Sequence, residues 1–199
     1  MLNVLIAGVG GQGSVLAAKI LAQAATEKGW QVRTAETIGM AQRGGSVASH
    51  VRIGNAGEEV HAPLVPHVQA DCIIALEPGE GLRALPYLAP DGLLVSAQTG
   101  IASVTADLSG APYDPAAVLE FLAQEAPHFV AVDDAAICEA AGSRKSLNVG
   151  MLAAAIRASE VQGCTLHEAL SVDDLDVALA ACVKPQFLDM NQAALHAAI

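Results

Sequence analysis

Leu2-Asn3-Val4-Leu5-Ile6-Ala7-Gly8-Val9-Gly10-Gly11-Gln12-Gly13 decides the fold. The apolar run Leu2 to Ala7, interrupted only by Asn3, predicts a buried central strand. The glycines that follow leave backbone N–H groups unshielded. Val15, Leu16, Ile20, Leu21 and Ala24 then recur at helical spacing, and Gly29 ends the helix. A glycine turn between a strand and a helix N-terminus suits an anion, most often a phosphate. Gln31 to Glu36 reads as the next strand, so the first 36 residues predict a right-handed βαβ unit.

A second glycine turn, Gly39-Met40-Ala41-Gln42-Arg43-Gly44-Gly45-Ser46, sits between strand-like runs and holds one cation, Arg43. A guanidinium among glycines can fork onto a phosphate or carboxylate, or onto an acidic group of another subunit. Val47 to Ile53 alternates as a strand. Glu58 to His61 is read as its antiparallel return after Gly54-Asn55-Ala56-Gly57. Further on, Asp71 to Leu76 and Leu93 to Ala97 predict strands, with a helix from Pro78 between them and a turn at Pro90-Asp91-Gly92. Pro115 to Ala126 is helical, Phe129 to Val132 is a last strand, and helices follow to the C-terminus. Thr165 with Glu168 and Ser171 with Asp174 fit capping boxes. The expectation is one domain over residues 1–199. It is a three-layer α/β/α Rossmann-like fold, an open, mostly parallel sheet with a β-hairpin insertion and a helical C-terminus.

Composition narrows the function. Hydrophobic residues make up 53% of the chain but aromatics only 3%, so Ala, Val, Leu and Ile must form the core. A net charge of −11 argues against nucleic acid and anionic membranes, which need a basic footprint. The four cysteines, Cys72, Cys138, Cys164 and Cys182, include no C-x-x-C pair, and each lies in an apolar run. They read as buried hydrophobes in a reducing compartment rather than ligands of zinc or an iron–sulfur cluster. With no leader-like segment at Met1 and no membrane-length apolar stretch, a cytoplasmic location is expected.

Gly8, Gly10 and Gly13 satisfy G-x-G-x-x-G, and Glu36 lies 23 residues beyond Gly13, where it would hold a ribose hydroxyl in a dinucleotide site. Three classes stay open on residues alone. They are a phosphate or nucleotide site, an NAD(P)-dependent dehydrogenase, and a non-catalytic interaction module with an empty Rossmann-like fold. The residues supply no self-contained nucleophile, metal site or acid–base pair. Asn148 and Asn191, in apolar helical stretches, must each find partners and read as helix clamps or interface contacts.

Taken together, Gly8 to Gly13, Glu36, Gly39 to Val47 and His50-Val51-Arg52-Ile53-Gly54 resemble the gamma-type domain of the 2-oxoacid:ferredoxin oxidoreductases. Ala70-Asp71 to Pro78, Asn148-Val149-Gly150-Met151-Leu152 and Lys184-Pro185 with Asn191 extend the resemblance along nearly the whole chain. Within the family the chain looks most like the small (beta) subunit of indolepyruvate ferredoxin oxidoreductase. The resemblance implies a subunit that is inactive alone. Thiamine diphosphate, Mg and iron–sulfur clusters would belong to a large partner subunit, and ferredoxin would be met through the complex. The chain itself would carry none of these cofactors, with coenzyme A as its one candidate ligand. Gly8, Gly10, Gly11, Gln12, Gly13, Glu36, Gln42, Arg43, Gly44 and Gly45 would then meet coenzyme A phosphate or the partner's edge. An exposed apolar face awaiting that partner would let the isolated chain form a homodimer.

Overall fold

The computed structural model describes residues 1–39, 45–102 and 113–198. Six strands form one sheet: β1 (Leu2–Val9), β2 (Gln31–Ile38), β3 (Ser46–Gly54), β4 (Ala70–Ala75), β5 (Leu88–Ala97) and β6 (His128–Val132). Their order across the sheet is β2-β3-β1-β4-β5-β6. The pairs β1–β4, β4–β5 and β5–β6 are parallel, whereas β3 runs antiparallel to both its neighbours.

Helices cover both faces, as the three-layer reading expects. On one side lie α1 (Ser14–Glu27), α5 (Leu147–Gln162), α7 (Val172–Cys182) and α8 (Leu188–Ala197). Their Ile20, Leu21, Leu152, Leu175, Leu179 and Leu195 share one core with Leu2, Val4 and Ile6 of β1. The shorter α4 (Asp134–Ala141) and the single turn α6 (Leu166–Ala169) complete this layer. On the other side α2 (Pro78–Ala84) and α3 (Pro115–Glu125) cover a smaller core of Leu5, Ala7, Ile73, Leu94 and Leu122. Alternate residues of β1 feed the two cores, as period-two geometry requires.

Three local expectations are corrected. First, β1 and β2 do not touch. The antiparallel β3 lies between them, so the βαβ crossover skips one strand, and the hairpin of the fold is β2–β3. Second, Glu58 to His61 is not a strand. Side chains of β2 take its backbone groups: Val60 N–H donates to Gln31 Oε1 at 3.2 Å, and Arg33 Nε donates to the Val60 carbonyl at 3.3 Å. Third, Pro90-Asp91-Gly92 is not a turn but part of β5. The sheet absorbs the proline through a register shift, with Ala70 opposite Leu88 and Cys72 opposite Leu93.

Helix ends follow local chemistry. Ser171 and Asp174 form the expected capping box at α7, while Thr165 makes no side-chain cap at α6. Glu77 caps α2, accepting from Glu80 N–H at 2.9 Å, with Pro78 at the first helical position. Three cysteines are buried and Cys182 is partly exposed. Burial pushes the Cys72 thiol well above its usual range, which fits an inert core residue. Among the described residues no helix is long and apolar enough to cross a membrane.

Candidate functional site

The C-terminal ends of β1, β4 and β5 and the start of β3 meet at one edge of the sheet. β1 leads into α1 on one face and β4 into α2 on the other, so the crevice between them is the topological switch point where open α/β sheets take ligands. Here the crevice is stitched shut. The Gln12 side chain folds back beneath the glycine turn: its Oε1 accepts from Val9 N–H at 2.6 Å and its Nε2 donates to the Leu76 carbonyl at 2.7 Å. Gln12 ties the end of β1 to the end of β4 rather than reaching out to a ligand.

Gly13 caps α1 with φ 82°, a left-handed conformation that favours glycine, and brings no side chain to the helix N-terminus. A Cβ there would lie 2.7 Å from Asn148 Nδ2. That nitrogen donates to the Gly13 carbonyl at 2.9 Å, so Asn148 is the helix clamp that its apolar setting suggested. Its Oδ1 is buried without a partner among the described residues. The two glycine turns meet: Gly10 N–H donates to the Gly45 carbonyl at 2.8 Å. Gln42, Arg43 and Gly44 lie outside the described residues. Glu36 is exposed on β2, opposite Ser49 of β3. With β3 intervening, it stands two strand spacings, about 9–10 Å, from β1. A dinucleotide crevice needs β2 directly beside β1, and this sheet lacks that adjacency.

Sequence reasoning missed five charged groups at this edge: Glu77, Glu80, Asp134, Arg144 and Lys145. Glu77, almost fully buried, accepts from Ile101 N–H at 3.2 Å and from the Tyr113 hydroxyl, so it holds both ends of the segment between β5 and α3. Burial and this bond push the Tyr113 phenol above its usual range. Glu80, also buried, accepts from the Ser46 hydroxyl at the start of β3. Asp134, 1% exposed, accepts from Gln98 and Thr99 N–H at 3.0 and 2.9 Å and pairs with Arg144 at 3.3 Å. Lys145 stands next to Arg144 in the chain. The signals were present: Glu77-Pro78 is a cap-and-proline helix start, and Gly142-Ser143 stops one helix just before a basic pair opens the next.

Beside the stitched crevice lies an open cleft of about 410 Å³, lined by Val9, Gly10, Gly11, Gln12, Ile101, Arg144, Lys145 and Leu147. It offers a glycine backbone wall, two cationic side chains and an apolar wall. It supplies no nucleophile paired with a base. Among the described residues no three His, Cys, Asp or Glu side chains converge as metal ligands. The arrangement offers positive charge and an apolar wall rather than a reacting pair.

Comparison with known proteins shows the family and the fold. The description of the family "POR: Pyruvate ferredoxin/flavodoxin oxidoreductase" matches residues 3–199. Indolepyruvate oxidoreductase subunit IorB of Archaeoglobus fulgidus is 44% identical over 156 residues, covering 76% of this chain and 75% of that protein. The subunit of the same name from Thermococcus kodakarensis is 33% identical over 196 residues, covering 98% of this chain and 92% of its own. Among solved structures, a keto/oxoacid ferredoxin oxidoreductase gamma subunit from Geobacter sulfurreducens superposes with a TM-score of 0.68 at 21% identity, covering 100% and 96% of the two chains. Pyruvate oxidoreductase subunit PORC from Thermotoga maritima gives 0.67 at 21%, covering 99% and 94%. A 2-oxoglutarate:ferredoxin oxidoreductase from Magnetococcus marinus, solved with 2-oxoglutarate, coenzyme A and succinyl-CoA bound, gives 0.68 at 18%. This chain spans 99% of itself but only 30% of that longer one.

Proposed function

Because the chain belongs to the pyruvate ferredoxin/flavodoxin oxidoreductase family, we propose that it is the small subunit of an aryl-pyruvate, most readily indolepyruvate, ferredoxin oxidoreductase. It completes the reaction chamber of a large partner. The observation that carries this reading is the match with indolepyruvate oxidoreductase subunit IorB of Thermococcus kodakarensis, over 98% of this chain and 92% of the relative. The partner would bear thiamine diphosphate, which decarboxylates the oxoacid, and the iron–sulfur clusters that pass electrons to ferredoxin. This chain would supply one wall: the glycine turns around Gly10–Gly13 and Gly45 meet coenzyme A phosphate or the edge of the partner.

The donor set fits that division of labour. Rigid positioning is what a wall must provide, and Gln12, Asn148 and Glu77 each spend their hydrogen bonds on holding backbone in place. The dehydrogenase alternative is not favoured, since Glu36 is not beside β1.

Co-expression with the large subunit tests the proposal. The assembled complex should reduce ferredoxin, or a viologen dye, with indolepyruvate and coenzyme A, and more slowly with pyruvate or 2-oxoglutarate. The isolated chain should turn over none of them. Oxoacid oxidation by the chain alone, or failure of the two chains to assemble, would overturn it.

A further inference from the structure

We propose that the outer edge of β2 pairs with the same edge of a second copy of this chain. The two strands run antiparallel about a two-fold axis at Ala35, so that two six-stranded sheets become one. The proposal goes beyond the functional reading and does not depend on it.

The two edges of the sheet are β2 and β6. The β6 edge is protected in the usual way: it has only five residues, and Pro127 precedes it. The β2 edge has no such protection. It is eight residues long, holds neither proline nor lysine, and pairs with β3 from Gln31 to Ile38 without a register shift. Six of those eight residues are exposed, so neither face nor edge is covered among the described residues. Ile38, at its end, is 67% exposed. The strand carries one arginine and one glutamate, so this edge is neutral in a chain of net charge −11. It is a place where two copies can meet without the repulsion that the rest of the surface imposes.

The register follows from the hydrogen-bond pattern. Gly39 N–H donates to the Ser46 carbonyl at 2.8 Å, and these residues continue the β2–β3 ladder just past Ile38 and Val47. Odd-numbered residues of β2 therefore bond to β3. Val32, Thr34, Glu36 and Ile38 turn their N–H and C=O groups to the open edge. Two copies related by an axis through Ala35 place all four opposite a partner group. Val32 meets Ile38 of the second copy, and Thr34 meets Glu36, twice each. Val32 already packs against the larger core, so the exposed Ile38 gains an apolar neighbour on the α1 face. The Thr34 hydroxyl can donate to the Glu36 carboxylate. Arg33 falls opposite Thr37, and the small Ala35 faces itself on the axis. An axis at Thr34 instead would oppose Val32 to Glu36 and leave Ile38 without a strand partner. One feature opposes pairing: the two Glu36 carboxylates come to lie diagonally, about 7–8 Å apart.

A strand edge buries less than a permanent dimer needs, so the mass of the isolated full chain should depend on concentration. Sedimentation equilibrium over about a hundredfold range of concentration should show it rising from one chain mass towards two. Ile38→Lys enters the contact twice and should weaken association about tenfold or more. Glu36→Gln removes the diagonal repulsion and should tighten it about threefold. Both residues are exposed, so the melting temperature of the monomer should hold in each variant. The register is read by oxidative cross-linking in a Cys182→Ser background, since the other three cysteines are buried. Ala35→Cys should link two chains, because residues on the axis in a non-hydrogen-bonded pair have Cα atoms about 4.5 Å apart. Thr34→Cys should not. Hydrogen exchange adds a reading on the natural sequence: the amides of Val32, Thr34, Glu36 and Ile38 should slow as concentration rises, while those of Arg33, Ala35 and Thr37 stay protected throughout. A single chain mass at every concentration would overturn the proposal. So would a dimer indifferent to Ile38→Lys, or Thr34→Cys linking as readily as Ala35→Cys. An Ala35→Cys link that forms in the isolated chain but not in the complex with the large subunit would assign this edge to that subunit and overturn it too. None of these results touches oxoacid oxidation by the assembled complex, which tests the functional reading separately.

Discussion

Gln12 makes two hydrogen bonds that no backbone group replaces, one to each strand of the switch-point crevice. Gln12→Ala should strand the Val9 amide and the Leu76 carbonyl and cost about 2–4 kcal/mol in urea unfolding, at 1–2 per stranded partly buried group. A loss under about 0.5 kcal/mol would show that water replaces the amide without penalty. Gly13 tests a different term. Gly13→Ala should lose about 1–2 kcal/mol from the left-handed backbone alone, and its Cβ would also press on Asn148 Nδ2. Removing that side chain in Gly13→Ala/Asn148→Ala relieves the overlap but not the backbone strain. The double variant should therefore be less destabilised than the sum of the singles, by about 0.5–3 kcal/mol; strict additivity would deny the contact. His50 brings in pH. It is 2% exposed, its Nδ1 accepts from Val65 N–H at 3.2 Å, and burial holds its pKa below the usual histidine value. The unfolded chain thus binds this proton more readily than the folded one. His50's stabilising contribution is fully present above about pH 6.5 and is lost as pH falls from there through the folded pKa. His50→Gln should flatten that part of the profile, measured as the urea midpoint between about pH 7.5 and 5.5. An unchanged slope would place the titration elsewhere.

At the scale of elements, helix α5 shows why propensity alone misleads. Gly150 sits in its second turn, where alanine should gain about 1 kcal/mol of helix propensity. The site forbids it: a Cβ would stand 2.4 Å from Ile137 Cγ2 of α4 and 3.1 Å from the Ala194 carbonyl of α8. Gly150→Ala should therefore destabilise by about 1–3 kcal/mol, as overpacking does. Adding Ile137→Ala should recover part of that loss, and no recovery would put the strain on α8 instead. The periodic elements were legible for a related reason. Where burial is one-sided or complete, as in β1, α1 and β4, apolar spacing records it directly. The antiparallel β3 was read as a strand but placed in the wrong pairing. Nothing local in Val47 to Ile53 says whether its neighbour is β2, β1 or a short return after Gly57. That choice is made by Ile53 and Val51 packing with Leu2 and Val4 under α1. The glycine turn was legible because glycine carries backbone information. Glu77, Asp134, Arg144 and Lys145 were not, because their meaning comes from sheet order, which sets the end of β5 and the start of α5 beside a turn more than 80 residues away in sequence.

The molecule as a whole is lopsided, and its dynamics should follow. Helix α5 buries twelve of its 16 residues, eight of them in the larger core, whereas α3 fully buries one of its 11, Leu122. Leu122 is 0% exposed and packs with Ala84, Leu94 and Ala126 in the smaller core. A helix held by one anchor can detach while the rest of the domain stays folded, since most of the buried apolar surface lies on the far side of the sheet. The Glu77 contacts of Tyr113, just before α3, belong to the same weak side. Leu122→Ala removes about 2–5 kcal/mol of docking. If that exceeds what α3 gains by staying docked, the helix detaches first, and the loss of global stability is limited to the docking energy of α3. Hydrogen exchange separates the cases. In the natural sequence the amides of α3 should exchange through an opening smaller than global unfolding, and in Leu122→Ala they should lose protection almost entirely while those of β1 and α5 keep theirs. Exchange of α3 and α5 amides in a single step, before and after the substitution, would mean that the two cores unfold as one unit. The larger core would then hold α3 in place through the sheet itself.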